Sequence, residues 1–208
     1  MWKQYTNLIP ALVCSVLIGC ASSPGGSNGS SSDGTSTSSA PPPEVDSSTL
    51  AAYNKAVTAM KNGRDEAAIS QFAAIAQTHP NLAGAFTNMG LIYLAGGDHE
   101  EAAKNLLQAT TIKPDDAIAQ THLGVAYRHL GKFAEAKTAY DMALKTNPKY
   151  PFAHLNAGIL YDIYLSDLAR ALNHYQQYQS LTNGKDKLVD KWIIDLQRRL
   201  KTQSQAKT

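Results

Sequence analysis

A step of 34 residues governs this chain. Pro80, Pro114 and Pro148 keep it, and so do Gly90, Gly124 and Gly158, and Tyr93, Tyr127 and Tyr161. Three residue types holding one spacing mark an internal repeat, which is the strongest constraint a sequence can place on its fold. A unit of this length cannot bury its apolar face alone. It must stack on its neighbours, and the core then runs along the stack.

Within each unit the apolar residues recur at helical spacing in two segments, with a glycine between them at Gly63, Gly97 and Gly131. Glycine at the end of a helix is the residue that turns the chain with a positive φ. The spacing therefore predicts a helical hairpin per unit. The copy from Ala83 holds Phe86, Met89, Gly90, Tyr93, Ala102, Leu106 and Pro114. The copy from Ala117 holds Gln120, Leu123, Gly124, Tyr127, Ala136, Tyr140 and Pro148. This pattern resembles the tetratricopeptide repeat, and only Gln120 departs from its usual large apolar residue. Gly90 and Gly124 are expected to let paired helices approach, with Ala102 and Ala136 receiving them. Tyr93 and Tyr127 are expected to fill the space between hairpins.

The repeat weakens at both ends. The copy from Thr49 keeps Gly63, Ala68, Phe72 and Pro80, with Ala56 and Ala59 in its first helix. The copy from Pro151 keeps Gly158 and Tyr161, but Ala171, Tyr175 and Tyr178 arrive one residue late. That predicts a hairpin loop one residue longer around Ser166-Asp167. Residues 185–201 then read as one amphipathic helix, with Leu188, Val189, Trp192, Ile193, Leu196 and Leu200 on one face. Such a helix caps a stack whose last apolar face needs covering. The expected fold is all-α: an α-solenoid of about four hairpins (about 49–82, 83–116, 117–150 and 151–184, within 47–183), wound as a right-handed superhelix, then a capping helix at 185–201 and a frayed tail at 202–208.

The first residues read as an address. Lys3 precedes an apolar core from Leu8 to Ile18, which is shorter than the roughly 20 residues a membrane-spanning helix needs. The core ends in Leu17-Ile18-Gly19-Cys20, which resembles the bacterial lipobox. The resemblance implies a signal peptide over 1–19, cleavage before Cys20, a lipid on its sulfur and acylation of its new amino group. Each buried methylene of those chains contributes about 0.8 kcal/mol to anchoring. Ala21 follows Cys20 where an aspartate would favour inner-membrane retention. The resemblance thus favours the outer membrane, facing the periplasm. Residues 21–46 hold nine Ser, four Gly and four Pro, with one Val and no Leu, Ile or aromatic residue. Such a stretch cannot offset its own ordering entropy, and 20–46 reads as a lipidated cysteine and a flexible linker on the order of 30 Å across.

A formal net charge of +2 with no run of one sign argues against nucleic acid and against an anionic-membrane footprint. Both cysteines, Cys14 and Cys20, precede the repeats, so the repeats have no thiol chemistry. The one Gly-x-Ser-x-Gly string, Gly25-Gly26-Ser27-Asn28-Gly29, lies in the Ser/Gly/Pro-rich linker and not in a strand-to-helix turn, and no strand-borne Gly-rich loop occurs, so no catalytic residue is assigned and an enzyme is not expected. His122 and His129 lie two helical turns apart, about 10 Å, His79 and His99 fall in different repeats, and His154 and His174 fall on the two segments of the last one. Neither a metal site nor a cofactor is expected. Asp115-Asp116 and Glu100-Glu101 read as helix starts.

One further ladder keeps the step of 34: Asn54, Asn88, His122 and Asn156. In tetratricopeptide stacks the first helices line a concave groove, and the resemblance puts these side chains in it. An amide can donate to a backbone carbonyl and accept from a backbone N–H, so such a ladder can hold an extended peptide by its main chain. Tyr53, Val57, Thr87, Leu91, Thr121, Val125, Arg128, Leu155, Ile159 and Asp162 complete the candidate groove. Only Arg128 and Lys61 approach the cations a carboxylate clamp requires, so capture of a C-terminal carboxylate is not expected. The expected function is a membrane-anchored, periplasm-facing scaffold that binds protein partners of the cell envelope. Two alternatives stand beside it. One is an assembly factor similar to the repeat-containing lipoproteins that help pilus or secretion pores reach the outer membrane. The other is a structural homodimer bridging envelope components.

Overall fold

A computed structural model describes residues 46–206, and the lipobox, Cys20 and nearly all of the linker lie outside the described residues. Residues Ser47–Thr208 form one compact unit. Among the described residues there are nine α-helices and no strand. They run as antiparallel pairs: α1 (Ser47–Lys61) with α2 (Asp65–Thr78), α3 (Ala83–Gly96) with α4 (His99–Ile112), α5 (Ala117–His129) with α6 (Phe133–Thr146), and α7 (Pro151–Ile159) with α8 (Leu168–Leu181). The last helix, α9 (Lys187–Gln205), packs on α8. The all-α hairpin array expected from the 34-residue step is the fold observed.

The turns follow from backbone chemistry. Gly63, Gly97 and Gly131 take φ values of 67°, 81° and 73°, the left-handed conformation that costs an L side chain. After each turn an N–H reaches back to a carbonyl five residues earlier: Arg64 to Ala59, Asp98 to Tyr93, Lys132 to Tyr127. This closes the orphan carbonyls at the helix end. Asp98, Asp116 and Asp167 then cap α4, α5 and α8 through their carboxylates, and Asp186 caps α9. Pro151 opens α7 at a position where its missing N–H is no loss.

The core is a chain of clusters that hand over from one hairpin to the next. Phe72 and Ile75 of α2 pack on Ala85, Met89 and Ile92 of α3. Tyr93 touches both that cluster and the next, which holds Leu106 and Leu123. Tyr127 likewise touches the cluster of Leu106 and that of Tyr140 and Leu160. These two tyrosines are the links between hairpins. Each fully buried Leu or Phe contributes roughly 1.5–3 kcal/mol.

The glycines on the first helices do allow close approach, but to different neighbours than the alanines expected. A Cβ on Gly90 would lie 2.5 Å from Leu106 Cγ. One on Gly124 would meet Tyr140, and one on Gly158 would meet Tyr175. The large residue of each second helix fills the notch, while Ala102 and Ala136 are simply buried.

Two departures concern the end of the array. The additional residue of the fourth hairpin does not lengthen the loop. It widens the end of α7 into a π-turn over Leu160–Tyr164, in which Leu165 N–H donates to Leu160 O. The returning N–H of Asp167 reaches Tyr161 O, one residue further back than in the other hairpins. Ser166, with φ 53°, then stands where the other turns have glycine. The second departure is at the tail: α9 continues through residues 202–205, with Thr202 Oγ1 donating to Arg198 O.

Candidate functional site

The first helices α1, α3, α5 and α7 touch one another in order along one side of the unit. Tyr53 on α1 lies against Gly84 on α3, and Asn88 Nδ2 donates to the Tyr53 hydroxyl at 2.7 Å. Arg128 on α5 lies 5.9 Å from the ring of Tyr164 at the end of α7. Asp162, in the π-turn, accepts from Arg199 of α9 at 2.8 Å. The candidate groove is this run of first helices.

The ladder of 34 is unequal along it. Asn54 is exposed. Asn88 spends one N–H on Tyr53, and Asn156 spends one on Phe152 O at 2.8 Å, within its own helix. Each amide keeps a carbonyl oxygen and a second N–H. His122 is half-buried, and burial pulls its pKa down to about 4 against the opposing charge of Asp116. It is therefore a neutral imidazole at neutral pH, able to donate once and accept once, as an amide does.

The other candidates divide by burial. Thr121 is 1% exposed and its hydroxyl donates to Ala117 O, so it faces the interior rather than a groove. Thr87 is half-buried and donates to Ala83 O. Val57, Val125, Leu155 and Ile159 are half-buried and pack on the core clusters, and Leu91 is half-buried. These apolar side chains form a floor that is shared with the helix contacts. Arg128 is half-buried, and its Nε has no hydrogen-bond partner. The Tyr140 hydroxyl is buried beside it, and Arg128 is the side chain that acts on it. Burial pushes the Tyr140 phenol up to about 12, and the charge of Arg128 partly opposes this.

One residue gains a role that the sequence does not display. Asp116 caps α5 through Oδ1, which accepts from Ile118 N and Ala119 N. Its charge also acts on Tyr53, His122 and Tyr150, as a lesser influence than burial at each. Tyr150 is half-buried, and burial raises its phenol. The sequence marks Asp116 only as a helix start, and its reach comes from the stacking of first helices. The histidines are also rearranged. His99 stacks on His129 at 4.2 Å between ring centroids, and His154 Nδ1 lies 3.1 Å from His174 Nδ1. The first pair joins two hairpins, and the second joins the two helices of the last hairpin. With centroids 5.3 Å apart, the last pair faces nitrogen to nitrogen, as a hydrogen bond requires. Among the described residues no three His, Cys, Asp or Glu side chains converge on one ion.

Antiparallel hairpins, left-handed turns at one step and a run of first helices along one side define a helical repeat solenoid. Residues 87–154 match the family model of the tetratricopeptide repeat. The protein is similar in fold to MamA, at 21% identity over 66% of this chain and 74% of that one, with a TM-score of 0.61. It is also similar to TTC0263, a thermophilic tetratricopeptide-repeat protein of Thermus thermophilus, at 20% identity over 73% and 82%, with a TM-score of 0.58. A third similar structure is the first such domain of Spaghetti (RPAP3) bound to the HSP90 peptide SRMEEVD. It is 22% identical over 57% and 92%, with a TM-score of 0.54.

Proposed function

We propose that this protein is a membrane-anchored, periplasm-facing scaffold that holds an extended segment of an envelope protein along its first helices. The observation that carries the groove is the ladder Asn54, Asn88, His122 and Asn156, one slot per hairpin, with polar atoms left over after the internal bonds at Asn88 and Asn156. The bound HSP90 peptide of the similar RPAP3 domain supports a peptide as the kind of ligand. The anchor rests on Leu17-Ile18-Gly19-Cys20 and the Ser/Gly/Pro-rich stretch behind it. Among the described residues no helix is long and apolar enough to cross a membrane. A lipid on Cys20 is the proposed attachment.

Photo-crosslinking in native membranes tests the groove. A photoreactive residue at Asn54, on the ladder, is compared with one at Ser70, exposed on the second helix α2. A partner captured from Asn54 and not from Ser70 supports the reading, and equal capture from both rejects it. The anchor is tested apart from this, by the mass of the mature protein and its membrane fraction with Cys20 intact or changed to Ala.

A further inference from the structure

The C-terminal end of the array carries two features that the groove does not use. The first is an apolar tip. At the end of the π-turn, Ile163, Tyr164 and Leu165 are consecutive and each is 38–39% exposed. The second is charge. Residues 46–184 hold eleven Lys and Arg against twelve Asp and Glu, whereas 185–201 hold six against three. Val189 and Leu196 bury one side of α9. At 100° per residue, Lys187, Lys191, Ile194, Arg198 and Lys201 fall on the opposite side, and all five are exposed. The positive charge that composition spreads over the chain is thus gathered on one helix face.

The two features adjoin. An open cleft of about 460 Å³ is lined by Ser166 and Leu168 beside the tip and by Arg198, Arg199 and Thr202 of α9. Arg198 pairs with Asp195, but with 76% of its side chain exposed that pair contributes little and leaves the cation open to another anion.

We infer that the fourth hairpin turn and the outer face of α9 dock on an anionic lipid surface. The tip presents the aliphatic side chains of Ile163 and Leu165 and the open edge of Tyr164, whose ring packs on Phe133 at 4.7 Å. Exposed aliphatic side chains enter a fluid interface, and a tyrosine beside them sits at headgroup level. Cations beside it meet lipid phosphates, each strengthening the attachment. The docking rests on the proposed anchor only for its local concentration, since a tether holds the face near the bilayer.

The test uses the compact unit, residues 47–208, which carries every described core cluster and lacks Cys20. It is floated with vesicles of phosphatidylcholine, with and without phosphatidylglycerol. The expected result is binding to the anionic vesicles only, weakened by salt. Binding should fall at least tenfold both in Lys191→Gln/Arg198→Gln/Lys201→Gln and in Ile163→Ser/Leu165→Ser. The control Lys55→Gln/Lys61→Gln/Lys104→Gln should bind normally. Circular dichroism confirms that the exposed substitutions leave each variant folded. Equal binding to neutral vesicles, no binding, or the same loss in the control overturns the proposal. So does binding of an acidic polypeptide such as polyglutamate where anionic vesicles fail. None of these outcomes bears on acylation of Cys20, which the mass of the mature protein decides.

Discussion

The amide of Asn88 and the hydroxyl of Tyr53 form a 2.7 Å bond that joins α3 to α1 across the first two hairpins. The Tyr53 phenol is raised above its ordinary range by burial, with the Asn88 bond acting against that shift. A peptide in the groove would lie over this bond, so the same pair serves stability and the floor of the site.

Replacing either partner should cost about 1 kcal/mol, the net contribution of one hydrogen bond. Asn88→Ala and Tyr53→Phe should therefore be far from additive. Urea unfolding of the two single variants and the double variant gives the coupling energy, and a value near zero shows that the bond contributes nothing.

Glycines of three kinds should respond differently to alanine. At Gly124 the new methyl group meets the ring of Tyr140, which is 1% exposed and cannot move away, and the cost should be about 1–3 kcal/mol. At Gly97, with φ 81° and open space around it, the cost is backbone strain alone, about 1–2 kcal/mol. Gly96 has neither a neighbour nor a positive φ, so alanine there should stabilise by about 0.5–1 kcal/mol. Thermal unfolding should rank the three in that order.

Ser166→Gly should stabilise the protein by about 1 kcal/mol, because serine holds the left-handed conformation that the other three turns give to glycine. A rise in Tm with no change in helical content is the expected result. A fall would mean that the serine side chain is worth more than its strain.

Acid should loosen the array. Burial holds His122, His129 and His174 near a pKa of about 4, below the usual 6.5 of the unfolded chain. Between these values the unfolded state binds more protons, so stability is fully present above pH 6.5 and drains away as pH falls toward 4. For His122 the loss at pH 4 is on the order of 3 kcal/mol. His129 and His174 are more open to solvent and should contribute less. Tm measured from pH 7.5 down to 4.5 should fall, and His122→Gln should flatten the curve. An unchanged slope in that variant would show that His122 is already protonated in the fold.

The fold was legible because each repeated residue has one physical task at one place: glycine in the turn, tyrosine between hairpins, proline before the next first helix. Periodicity alone could not say what each notch receives. The side chains that fill the spaces beside Gly90 and Gly124 are Leu106 and Tyr140, four residues beyond the alanines, because a helix offers its large residue where its partner is thinnest. The insertion in the last hairpin was visible as a late Ala171, yet a π-turn and a longer loop leave the same trace in a sequence. In the groove, spacing located the slots but not their bonds. Thr121 has the ladder's period and is buried, while Asp116 breaks no pattern and its charge reaches Tyr53 on α1 as well as His122 on its own helix.

The π-turn at Leu160–Tyr164 also sets a rule for growth. Every unit before it shares one register, so a copy of residues 83–116 inserted after Asp116 would meet neighbours of the shape it expects on both sides. A copy placed after the fourth hairpin would follow a helix pair that is out of step by one residue and a helix with no partner of its own. The array is extensible in its middle, so lineages of this protein that differ in length should differ by whole units ahead of Pro151.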